Sequence, residues 1–181
     1  MSTKASMASI SVSGQRDPII RTLRRLKTSG GRAKEGLYLA EGPDLCHRVL
    51  TYGGTLSSLI CTEAFAASAE GLALRALLPS GCAVYTASQG LIGKCLEAKP
   101  TPQCIGLVLR VETPFEEMLQ TQNPLFIAVD HGESADNLGM LLRSAEASGV
   151  EGVLLGQSTV DPFSRRVTRG ARGATFHLPL C

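Results

Sequence analysis

The chain has 181 residues, a length that suits one domain or two small ones. Hydrophobic residues make up 44% and charged residues 19%, which is too apolar for a disordered chain. With no Trp, three Tyr and five Phe, wide aromatic platforms for stacking single-stranded bases are not expected. Net charge is only +2, yet residues 1–50 carry nine Lys/Arg against four Asp/Glu, and the last 21 carry four Arg against one Asp. Basic ends of this kind suit a polyanionic partner, although charge alone fits a solvated basic helix equally well. No stretch reaches eighteen apolar residues, so no membrane-spanning helix is expected. The opening MSTKASMASISVSG lacks the apolar run of a secretory signal and reads as a disordered leader over 1–15. Six Cys (46, 61, 82, 95, 104, 181) show no Cys-x-x-Cys spacing, and His47, His131 and His177 complete no zinc pattern with them. Free thiols, no metal and a cytoplasmic location follow as expectations.

The first ordered element starts at Asp17-Pro18, a capping residue followed by a proline suited to the first helical turn. Ile19, Leu23 and Leu26 recur at helical spacing, and Ser29-Gly30-Gly31 reads as the stop. A strand at 37–40, a helix from Pro43 to Gly53-Gly54, a strand at 56–61 and a helix at 69–78 follow. A strand at 82–85, a helix near 91–96 and a strand at 105–111 complete the series. This alternation predicts a small three-layer α/β/α domain over 16–111. Residues 112–123, with Pro114 opening a short helix and a turn at Asn123-Pro124, read as a linker. From Leu125 a second alternation begins. The run LFIAVD reads as a parallel strand buried on both faces. The loop HGESAD follows, then a helix at 137–148 capped by Asn137 and ended by Gly149, then a strand at 150–155. Asp161-Pro162 reads as another helix start ahead of the basic stretch SRRVTRGAR, and residues 175–180 read as a closing strand. The expected fold class is therefore α/β, with a second α/β unit over 124–181.

Phosphate-binding and nucleophile-elbow motifs are absent; GLIGKC at 90–95 lacks the upstream Gly and the Ser/Thr of a P-loop. Chemistry then concentrates in the loop and helix at 130–149, because α/β folds bind ligands at the C-terminal ends of parallel strands. Asn137 and Arg143 are the candidates there. Local physics alone also allows Asn137 as a cap and Arg143 paired with Glu146 three residues on.

The order Asn137-x-Gly139-x-x-x-Arg143-x-Ala145, then Gly149, Arg169, Gly173, Ala174, Phe176 and Pro179, resembles the SpoU-type RNA methyltransferases of the SPOUT class. Upstream, Arg32 followed by LYLAEG (37–42) is similar to the RNA-binding domain of that family. The resemblance spans about residues 16–181. It implies methyl transfer from S-adenosyl-L-methionine to a ribose 2′-hydroxyl of rRNA or tRNA. It also implies an N-terminal RNA-binding domain, the first part of an α/β-knot methyltransferase domain, and a homodimer. Asn137 and Arg143 then take the catalytic places, and Arg24, Arg25, Lys34, Arg32, Glu41 and Arg169 fall to RNA binding. Two departures stand out. Ala171 replaces a Ser common in the family, and the Gly-Glu-Gly loop and Ser-Leu-Asn segment, which supply most of the cofactor pocket, are not in the sequence. The expectation is a C-terminally truncated chain whose cofactor residues have no assignment. The alternative is a non-catalytic RNA-binding remnant.

Overall fold

The computed structural model describes residues 9–120, 124–157 and 159–181. The elements are β1 (Ile10–Val12), α1 (Pro18–Arg25), α2 (Ser29–Glu35), β2 (Leu37–Glu41), α3 (Pro43–Thr51), β3 (Leu56–Thr62), α4 (Glu63–Ala67), α5 (Ala69–Leu77), β4 (Ala83–Ala87), α6 (Gln89–Leu96) and β5 (Cys104–Leu109). Then come α7 (Phe115–Met118), β6 (Phe126–Val129), α8 (Ala135–Ala147), β7 (Gly152–Leu155), α9 (Arg165–Ala171) and a 3-10 turn (Ala174–Phe176).

The first five strands form one sheet in the order β1-β4-β3-β5-β2. β1, β4 and β3 run parallel, and β5 pairs antiparallel with both β3 and β2. Alternating side chains divide between the two faces. Ile60, Ile105, Leu107 and Leu39 meet Ile20, Leu23 and Leu26 of α1 and its C-terminal cap, and Ile92 and Leu96 of α6. Leu59, Cys61, Val84 and Val108 meet Leu45 and Val49 of α3, and Leu74 of α5 and Leu78 after it. The three-layer expectation therefore holds. Five of the six cysteines are buried within these layers, and all six are free.

Local chemistry departs from the sequence reading at three places in this half. Residues 10–12, inside the expected leader, form an edge strand on β4. Ser29-Gly30-Gly31 opens a helix instead of ending one, because Thr28 Oγ1 accepts the Gly31 amide at 3.1 Å. Gly31 is required there, since a Cβ would overlap the Arg25 carbonyl. The short α4, capped by Thr62, was not anticipated.

In the second half β6 and β7 pair in parallel, Ile127 opposite Val153. Two expectations fail here. No residue of β6 is fully buried, so it is not a strand covered on both faces. Residues 174–176 turn as a 3-10 helix after Gly173 (φ +114°), and only the end of the chain joins the sheet, through a parallel bridge from Leu180 to Val153. The expected linker packs: Thr113 donates its amide to the Leu180 carbonyl at 3.0 Å, and Met118 is buried. The predicted turn at Asn123 lies outside the described residues. The core is continuous across the halves. Tyr38 of β2 packs its ring 4.9 Å from Phe163 and 6.0 Å from Phe176, in the same cluster as Leu138, Leu142, Val153 and Val167.

Candidate active site at the α8–α9 crossing

β6 ends beside Asp130, and the loop that follows enters α8. Ser134, not Asn137, caps this helix, its Oγ accepting the Asn137 amide at 3.3 Å. Asn137 therefore sits in the first turn with its side chain exposed. It lines a cleft of about 440 Å³ with Val129, His131, Gly132, Glu133, Ser134, Leu138 and Leu141. Arg143 stands about 9 Å further along the helix axis by helical rise. It is exposed and makes no hydrogen bond or ion pair among the described residues. Glu146, its expected partner, lies 3.3 Å from His177 Nε2 instead. Asn137 and Arg143 thus share a helix and not a cleft.

α9 lies across α8 at two glycines. A Cβ on Gly139 would come within 2.9 Å of Gly170 Cα and 3.0 Å of the Val167 carbonyl oxygen. Such proximity lets the backbones touch and sets the arginines of α9 beside α8. Ser164 caps α9, its Oγ accepting the Val167 amide at 3.4 Å. The cap-plus-proline start expected at Asp161 is a turn ahead of the helix, in which Asp161 Oδ1 accepts the Phe163 amide at 2.8 Å. Arg166 forks onto Asp136, Nε to Oδ1 at 2.7 Å and Nη2 to Oδ2 at 2.6 Å. The hydrogen bond from Arg166 holds the Asp136 carboxyl below the usual carboxylate range, and the charge on Arg169 adds to it. Arg169 and Arg172 are exposed and unpaired among the described residues.

The remaining candidates divide sharply. Arg24 and Arg25 are exposed, donating to Gln15 Oε1 at 2.7 Å and Glu35 Oε1 at 2.5 Å, and Lys34 is exposed without a partner. Arg32 is only 4% exposed. It donates to Asp161 Oδ2 from Nε at 2.8 Å and Nη2 at 2.5 Å, and to the Leu26 carbonyl from Nη1 at 2.8 Å. Glu41 accepts from Arg165, whose Nη1 also donates to the Leu96 carbonyl at 2.8 Å. In this structure Arg32 and Glu41 face the second half of the chain and offer nothing to a ligand. Asp161 and Arg165, their partners, had no signal of their own beyond an expected helix start and a basic run. Asp136, the partner of Arg166, had been read only as part of the loop.

Residues 124–181 match the SpoU rRNA Methylase family, and residues 17–106 match the MRM3-like substrate binding domain. The chain thus carries a SpoU rRNA methylase domain behind an MRM3-like substrate binding domain. It is 27% identical over 161 residues to the 23S rRNA (guanosine(2553)-2′-O)-methyltransferase RlmP of Bacillus subtilis, covering 89% of this chain and 60% of that protein. An AdoMet-bound rRNA methyltransferase from Sinorhizobium meliloti superposes with a TM-score of 0.83 at 22% identity, covering 96% of this chain and 64% of that one. An RNA 2′-O ribose methyltransferase, 28% identical, superposes with a TM-score of 0.73, covering 94% and 64%. The chain spans under two thirds of the length of these relatives. The mixed α/β architecture with parallel strands agrees with them.

Of the clefts near the ends of β6 and β7, the one at Asn137 measures about 440 Å³, and the one lined by Leu155, Gly156, Thr159 and Phe163 about 180 Å³. A pocket holding a drug-sized ligand usually exceeds ~300 Å³.

Proposed function

We propose that the protein transfers a methyl group from S-adenosyl-L-methionine to a ribose 2′-hydroxyl of rRNA or tRNA, working in the cytoplasm as a homodimer. The observation that carries this reading is the exposed, unpaired Arg143 on α8, one turn past the Gly139–Gly170 crossing with α9 and its exposed Arg169 and Arg172, in a chain with a SpoU domain. A 2′-hydroxyl is a poor nucleophile that loses its proton as it attacks. A guanidinium held near it stabilises the developing negative charge and orients the adjacent phosphate. A guanidinium is too basic to serve as a general base, so charge and position are the roles given to Arg143. Asn137 hydrogen-bonds the ribose. Arg24, Arg25, Lys34 and Arg169, all exposed, take the RNA phosphates. No step is assigned through the donor.

The exposed cations Arg24, Arg25 and Lys34 of the first half, away from α8, favour a second reading, a non-catalytic RNA-binding protein. The test is transfer of labelled methyl groups to unmodified rRNA transcripts, with RNA affinity measured in parallel. Arg143→Ala should lower turnover by about a hundredfold or more, the cost of one transition-state charge contact, while RNA affinity stays within about twofold. Arg143→Lys should fail as well, since an ammonium does not reproduce the planar fork. Near-wild-type turnover with Lys would sink the positioning role. RNA binding by the wild type without methyl transfer would establish the second reading.

A further inference from the structure

Two ion pairs cross between the halves of the chain with reversed polarity. Arg32 of α2 meets Asp161, and Glu41 at the end of β2 meets Arg165. Both arginines also dock on helix C-termini. Arg32 takes the carbonyl of Leu26, the cap of α1, and Arg165 takes that of Leu96, the last residue of α6. Carbonyls there lack helical partners and carry the negative end of the dipole, so a guanidinium satisfies them well. The hydrogen bond from Arg165 to Glu41, and then the Glu41 charge, push the Arg165 guanidinium further up in basicity. Asp161 uses its second oxygen on the Phe163 amide and so fixes the turn that leads into Ser164 and α9. The two pairs grip α9 at its N-terminus only. Further along, Gly170 rests on Gly139, and Arg169 and Arg172 remain free.

We propose that Arg32 and Glu41, with Asp161 and Arg165, are positioning residues that clamp the N-terminus of α9 to the first domain and thereby set its free arginines beside Arg143. Arg32 and Glu41 act on RNA through α9 and not by contact. A clamp of one acid and one base from each side is neutral as a whole. Removal of one member leaves a buried or half-buried charge without its partner, which is costly. The clamp itself is a property of this chain; its consequence for RNA rests on the reading of α9 as part of the RNA site.

The test uses the full chain with Arg32→Gln and Glu41→Gln. Hydrogen exchange should quicken about tenfold or more at the α9 amides 167–171, with β3 and β5 unchanged. Double reversal of Glu41→Arg with Arg165→Glu should restore part of the α9 protection that either single reversal loses, the remainder going with the lost donor to the Leu96 carbonyl. Binding to a mixed-sequence single-stranded oligoribonucleotide across a salt series supplies the second readout. Arg32→Gln and Glu41→Gln remove opposite charges, yet both should weaken binding, since each acts through α9, and Arg169→Gln should reduce the log–log slope by about 0.7, the share of one phosphate contact. Weaker binding in Arg32→Gln alone, with Glu41→Gln unchanged or tighter, would make Arg32 a direct RNA contact and overturn the proposal. Unchanged α9 exchange in both variants would overturn it too, as would equal loss of protection in β3 and β5. If the wild-type chain binds no RNA, the RNA reading of α9 fails alone, and the exchange data still decide the clamp.

Discussion

The five-stranded sheet and the β6–β7 pair are built from similar apolar runs, yet they stand on different footing. Leu59, Ile60, Cys61, Cys104 and Ile105 at the centre of the first sheet are fully buried, with helices on both faces. No residue of β6 is fully buried, and β7 buries only Gly152 and Val153. The first region carries its own core. The second borrows one, through Tyr38 against Phe163 and Phe176 and through the ion pairs at Asp161 and Arg165. The chemistry-bearing loop and helices therefore depend on the first domain for their placement as well as for their stability.

Loss of the shared ring contact should break that dependence most severely. Phe163 is buried against Tyr38, and the Arg110 guanidinium lies over its ring at 4.8 Å. Phe163→Ala should cost about 3–5 kcal/mol, the range for removing a buried ring and leaving a cavity. Urea titration of the full chain measures it. Exchange should show the loss falling first on α8 and α9, before β3 and β5. A cost under about 1 kcal/mol would mean that the second region supports itself.

The α8–α9 crossing should show a smaller effect, confined to the second region. Alanine favours a helix over glycine by about 1 kcal/mol, so Gly139→Ala would stabilise α8 in isolation. Here its Cβ meets backbone of α9 on three atoms, Gly170 Cα at 2.9 Å, the Val167 carbonyl oxygen at 3.0 Å and the Ala171 nitrogen at 3.1 Å, and backbone does not yield as a side chain does. A net loss of about 1–3 kcal/mol is expected, as for overpacked sites. Gly170→Ala should cost less, because its nearest contact is 3.3 Å. The reverse order in thermal denaturation would place the close approach elsewhere.

Much of the first region was legible because its signals are local. Asp17-Pro18, Pro43 and the alternation of apolar runs with Gly-containing turns gave its strands and most of its helices. What failed was the choice among competing local signals. Gly30-Gly31 punctuates most chains, but Thr28 supplies a cap that turns the same residues into a first helical turn. Ser134, Asp136 and Asn137 all cap helices well, and the sequence alone does not say which is used. Asn137 and Arg143 were legible as a pair on one helix by resemblance to a family, whereas the free state of Arg143 depends on Glu146 turning to His177. The partners of Arg32 and Glu41 lie 129 and 124 residues away, and no periodicity connects such positions.

The smallest expected effect reports on the junction through pH. Tyr38 is buried where the two regions meet, and its hydroxyl donates to the Thr175 carbonyl at 3.0 Å. Burial pushes its ionisation well above the ordinary tyrosine value. In the unfolded chain the same phenol loses its proton near pH ~10, so above that point the unfolded state binds fewer protons than the folded one. The stabilisation is therefore complete below about pH 10 and is lost as pH rises toward the folded value, amounting to about 1 kcal/mol by pH ~10.5. Cys82, pushed up to about 11 by burial, adds a decline of the same sign from its unfolded value near ~8.5 upward. Tyr38→Phe removes only the tyrosine share, at the cost of one hydrogen bond of about 1 kcal/mol at every pH. Urea midpoints at neutral pH and near pH ~10.5 should thus fall more steeply in the wild type than in Tyr38→Phe, with the cysteine share common to both. Parallel slopes would mean that the junction opens and hydrates Tyr38 before the five-stranded sheet unfolds, and the two regions would then be separable units.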